Sequence, residues 1–171
     1  EVRFVFRVEL CIGLDEMNIF SKQQQPTSFH SPPRTTATHT HTTNENTTSS
    51  RQLIIHEVMG RHCGWLTAAT ALEYRKRLEK KSFIHEIDII KEKWDIHSIL
   101  IPEEEIDFER ECDRLSIIMD KYDSVNVFLS EGAGMETIVN ETEKTGGKVL
   151  RDAYGHVRLD DLNPGEWFAK K

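Results

Sequence analysis

The chain has 171 residues, 37% of them hydrophobic, and a formal net charge of −7 at neutral pH. That length can bury one ordinary core and hardly two, and its charge, with no basic stripe, argues against nucleic acid as a partner. No apolar run approaches the roughly 18 to 20 residues needed to cross a bilayer, so a membrane partner is not expected either.

Residues 1–20 are left without an assignment. Glu1–Leu14 alternates apolar and charged side chains, with Val2, Phe4, Phe6 and Val8 set against Arg3, Arg7 and Glu9, which favours a half-buried strand. Its charges and lack of a cleavage-like segment argue against a signal peptide. Residues 21–50 contain no Leu, Ile, Val or Met. A tract of Gln, Thr, Ser, Pro, His and Asn cannot offset its ordering entropy by burial, so it reads as a disordered low-complexity linker. His30, His39 and His41 lie in it without cysteine or carboxylate partners, a poor set for a metal.

At Arg51 the composition changes. Leu53–Val58 is mostly branched and apolar, as in a parallel strand covered on both faces. Met59-Gly60-Arg61 then makes a tight turn, and a helix follows on which Trp65, Ala68, Ala69 and Leu72 fall at helical spacing. Arg61 is thereby placed between a strand's carboxyl end and a helix's amino end. Ligands bind at that edge in open α/β sheets, and an arginine fork there suits phosphate or sugar oxygens. Arg75-Lys76-Arg77 closes the helix with basic residues that complement its dipole. Ser98–Pro102 is the next strand, stopped by the proline. Glu103-Glu104-Glu105 follows it, read first as charges favouring a helix start and only second as a magnesium set.

Phe108, Cys112, Leu115, Met119 and Tyr122 share one helical face. Val125–Leu129 is a third strand, running into Ser130-Glu131-Gly132-Ala133-Gly134 and another amphipathic helix that Gly146-Gly147 ends. Asp152–Val157 is a turn-rich connector, and Asn163-Pro164-Gly165 precedes a helix at Glu166-Trp167-Phe168 in which the chain stops. The fold expected is α/β, a mostly parallel sheet flanked by helices in Rossmann-like layers, forming an incomplete domain behind a disordered N-terminal extension. Cys11, Cys63 and Cys112 make an odd set without framework spacing, which points to reduced thiols and a cytoplasmic protein.

Glu57-Val58-Met59-Gly60-Arg61 followed by Cys63-Gly64 resembles the fructose 6-phosphate turn of the phosphofructokinase family. The surrounding residues, together with Lys93-Trp94-Asp95-Ile96-His97, Val125–Gly134 and Asn163–Lys170, are most similar to its pyrophosphate-dependent branch. The likeness runs from Arg51 to Lys171, making residues 51–171 a partial phosphofructokinase domain. It implies a phosphofructokinase-like sheet and a substrate site that includes Met59, Gly60, Arg61 and Glu131. It also implies transfer of phosphate from pyrophosphate or ATP to the 1-hydroxyl of fructose 6-phosphate in glycolysis, with magnesium, by a homo-oligomer.

The family's Gly-Gly-Asp donor loop and Thr-Ile-Asp-Asn-Asp catalytic segment do not occur here. No catalytic residue and no metal ligand is therefore assigned to this chain, and magnesium's ligands are expected outside it. Arg51 corresponds to a family arginine that can reach substrate phosphate, but its spacing is ambiguous and it is not assigned. The alternative reading is a non-catalytic remnant that binds sugar phosphate or serves as an interaction subunit.

Overall fold

The computed structural model describes residues 5–11, 51–155, 157–158 and 162–171, the first group by its backbone path alone. The linker expected over residues 21–50 lies outside the described residues. In chain order the elements are β1 (Val5–Cys11), β2 (Gln52–Val58), α1 (Trp65–Leu78), a 3-10 turn (His85–Ile87) and α2 (Lys91–Trp94). β3 (Ser98–Leu100), α3 (Phe108–Tyr122), β4 (Ser124–Ser130), α4 (Met135–Lys144) and α5 (Pro164–Ala169) follow.

The four strands form one sheet in the order β1-β2-β4-β3, and every pairing is parallel. All seven residues of β4 are buried, because side chains alternating along it meet helices on both faces. Val125, Val127 and Leu129 pack with Ile55, Phe108, Leu115, Met119 and Phe168. Phe128, on the other face, packs with Ala71, Tyr74, Leu78, Trp94 and Ile96. His56 is fully buried on that face, its ring 5.0 Å from that of Phe128. The expected α/β architecture is the one found.

α1 departs from its expected face. Its buried residues are Thr67, Thr70, Ala71, Tyr74 and Leu78, whereas Trp65 is 68% and Leu72 58% exposed. At the helix start the approach is close, since a Cβ on Gly64 would lie 2.5 Å from Ile101, and small residues fill the buried face until Tyr74 and Leu78. Tyr74 is accommodated because its hydroxyl donates to the Trp94 carbonyl. The α3 face is as expected, with Phe108, Leu115 and Met119 buried and Cys112 partly so. Asp107 starts α3, its side chain accepting from the Arg110 N–H at 3.1 Å.

The register aligns the strands' carboxyl ends. Val58 stands opposite both Cys11 and Ser130, and Leu100 opposite Leu129. The chain therefore leaves β2 and β4 side by side at one edge of the sheet.

Candidate functional site

Two turns leave this edge, Met59-Gly60-Arg61 after β2 and Glu131-Gly132 after β4, and they are stitched together. The Glu131 N–H donates to the Val58 carbonyl at 2.9 Å, and the Ser130 hydroxyl donates to the Gly60 carbonyl at 2.6 Å. Gly60 has φ +153°, and a Cβ there would sit 2.4 Å from the Cys63 carbonyl, so the turn depends on glycine. Gly132 packs on the backbone of Arg61, where an added Cβ would fall 1.8 Å from the Arg61 carbonyl oxygen. All four residues expected at the site, Met59, Gly60, Arg61 and Glu131, are thus brought to one place.

Arg61 and Glu131 form no ion pair with each other among the described residues. The Arg61 Nη1 donates instead to the Val157 carbonyl at 2.9 Å, in the connector that follows α4. That acceptor is neutral and brings no negative charge to offset the guanidinium. Met59 is 40% exposed, giving the edge an apolar lip.

The helix terminus itself is not open to an anion. Glu103 gives both carboxylate oxygens to the Gly64 N–H, at 2.8 and 3.0 Å, at the start of α1. This bond holds the Glu103 carboxyl below its ordinary range. The expected start charge therefore serves α1 and not α3. Sequence spacing gave no warning, because donor and acceptor are 39 residues apart. Among the described residues no group of three or more His, Cys, Asp or Glu side chains could hold a metal ion. With Glu103 committed to Gly64, the described residues do not fit magnesium.

Glu57, within β2, opens the motif and is assigned no role from the sequence, but the structure makes it a neighbour of the site. It is 7% exposed and accepts the Gly165 N–H at 3.0 Å, tying the start of α5 to the strand that leads into the turn. Burial pushes its carboxyl up, the Gly165 bond opposes this, and the Glu131 charge adds to the rise. A carboxyl raised on folding gives stability that is full below its unfolded value and is lost as pH rises through the folded one. Glu57→Gln keeps an oxygen for Gly165 and removes the charge. It should melt higher than the parent at pH 7.5, with the gap closing toward pH 4. A gap independent of pH in thermal melts would contradict this.

Arg51 lies at the other end of β2, where it bonds Asp120 at 2.6 Å and Asp123 at 3.0 Å. It borders a groove of about 400 Å³ lined by Leu53, Leu115, Met119 and Phe168 among others. The groove's Lys170 and Lys171 pair with Glu166 and Glu141, and its lining does not include the strand-end turns. His62 and Cys63 are both exposed.

Fold and edge define an α/β protein of the parallel, doubly covered class, with its candidate ligand site on turns at the strands' carboxyl ends. Residues 29–159 match the family described as Phosphofructokinase. The chain belongs to the phosphofructokinase family. It is 52% identical over 127 residues to a pyrophosphate–fructose 6-phosphate 1-phosphotransferase of Methylomonas methanica, covering 74% of this chain and 31% of that protein. Relatives of the same name from Methylotuvimicrobium alcaliphilum and Propionibacterium freudenreichii are 50% and 46% identical, over the same shares of each chain. The chain thus spans about a third of the length of these relatives. A crystal structure of a pyrophosphate-dependent phosphofructokinase from Nitrosospira multiformis is 24% identical, with a TM-score of 0.39 over 68% of this chain and 28% of its own.

Proposed function

We propose that this chain carries part of the acceptor site of a 6-phosphofructokinase, which transfers phosphate from pyrophosphate to the 1-hydroxyl of fructose 6-phosphate. The observation that carries the reading is the stitched pair of turns, which sets at one sheet edge a carboxylate and a guanidinium that no carboxylate pairs among the described residues. Arg61 offers paired N–H donors to phosphate or sugar oxygens, and Glu131 accepts from sugar hydroxyls. Met59 and Gly60 form the wall between them. The names of the relatives support pyrophosphate as donor over ATP.

Residues 51–171 are, on this reading, the partial phosphofructokinase domain. Phosphoryl transfer also needs a base for the acceptor hydroxyl, a donor cradle and magnesium. The segments that supply them in the family are absent from this sequence, so the chain by itself is inactive. Exposed free Cys63 fits a reducing, cytoplasmic setting. Exposed Trp65 and Leu72 on the outer face of α1 support a homo-oligomer as the complete form.

The test is a chimera in which residues 51–171 replace the matching segment of the Methylomonas methanica relative. It should phosphorylate fructose 6-phosphate with pyrophosphate and magnesium, while this chain alone turns over neither with pyrophosphate nor with ATP. A folded chimera without activity would sink the reading, and so would turnover by the chain alone.

A further inference from the structure

After α4 the chain folds back on itself in a small hairpin. Arg151 and Val157 form an antiparallel bridge, and the Arg158 N–H donates to the Leu150 carbonyl at 2.9 Å. Asp152 closes the turn: its carboxylate accepts the Tyr154 N–H at 2.8 Å, and its carbonyl accepts the Gly155 N–H at 3.0 Å. The hairpin is not part of the core, since Tyr154 is 88% and Leu150 49% exposed. Yet it meets the strand-end turns through a long-range bond, from the Arg61 guanidinium to the Val157 carbonyl, across 96 residues of sequence.

We infer that the Val157 carbonyl positions the Arg61 guanidinium for an anionic sugar ligand, so that hairpin and ligand site form one coupled unit. The inference rests on the sugar-phosphate reading of the site. A free arginine side chain samples many rotamers, and each hydrogen bond to a ligand must overcome that freedom. Anchoring Nη1 restrains the plane of the fork, while Nη2 and Nε, which bond none of the described residues, can make two parallel bonds to phosphate or hydroxyl oxygens. A carbonyl orients the cation without neutralising it, which a carboxylate in the same place would do. Val157 is therefore a positioning residue acting through Arg61; its bridge to Arg151 holds it, and Asp152 closes the turn between those two strands of the hairpin. Coupling of this kind is reciprocal: if the hairpin tightens the ligand, the ligand tightens the hairpin by the same factor.

The experiment uses the full chain, with fructose 6-phosphate as the probe and backbone amide exchange at Gly155 and Arg158 as the reporter. Saturating fructose 6-phosphate should slow exchange at both amides. Asp152→Ala should weaken its affinity about fivefold, within the usual range for coupled sites, with the melting temperature unchanged. Wild-type affinity in Asp152→Ala, with exchange that ignores the ligand, overturns the inference. If the parent chain binds no fructose 6-phosphate, the sugar-phosphate reading fails, and ligand-free protein decides whether the tie exists. There, faster exchange at Gly155 and Arg158 in Arg61→Ala upholds the coupling of hairpin and arginine, and unchanged exchange overturns it.

Discussion

Gly132→Ala should lower the melting temperature of this chain by about 10 °C. The added methyl would lie 1.8 Å from the Arg61 carbonyl oxygen and 2.9 Å from the Arg61 Cα. Those are backbone atoms, so no rotamer change relieves the overlap, and the two strand-end turns must separate. Overpacking of this kind costs about 3 kcal/mol, and each kcal/mol is worth roughly 2 to 4 °C for a chain of this size. Ser130→Ala provides the graded comparison. It removes only the hydroxyl bond to the Gly60 carbonyl and should cost about 1 kcal/mol, through a donor lost and a part-buried acceptor left without it. Thermal melts in which Gly132→Ala behaves like the parent would mean that the turns are not in contact.

What could be read from the sequence follows a physical division. Strands and amphipathic helices are local patterns, so Leu53–Val58, Val125–Leu129 and the Phe108–Met119 face are legible from side-chain spacing alone. The aligned strand ends follow from parallel pairing, and with them the grouping of Met59, Gly60, Arg61 and Glu131. The face of α1 was not legible, because Trp65 and Leu72 marked one side of the helix whereas the fold covers the side carrying Thr67, Thr70, Ala71, Tyr74 and Leu78. The partners of the charged groups were hidden for a related reason. Glu103 serves a helix 39 residues upstream, Glu57 a helix start 108 residues downstream, and Arg61 a carbonyl 96 residues away. Residue type announces that such a group needs a partner, but only the fold selects which one.

The second large effect concerns the chemistry. In the active chimera, Arg61→Ala and Glu131→Gln should each lower kcat/KM for fructose 6-phosphate about ten- to a hundredfold. That is the loss expected when a charge-assisted hydrogen bond of about 1.5 to 3 kcal/mol disappears from a desolvated site. Neither change should disturb the sheet. The bonds stitching the turns come from the Ser130 hydroxyl and the Glu131 backbone N–H, which both variants keep. Arg61→Ala does release the Val157 carbonyl, but that acceptor sits in an exposed hairpin where water can replace the arginine.

The most direct test of the sugar-phosphate site is therefore the double-mutant cycle of Arg61→Ala and Glu131→Gln, followed both by kinetics and by melting temperature. Two groups that contact different parts of one ligand predict kinetic losses in each single variant, a larger loss in the double variant and melts that barely move. Unchanged kinetics with lowered melting points, and a double variant no worse than either single one, would contradict the assignment and make the two residues structural.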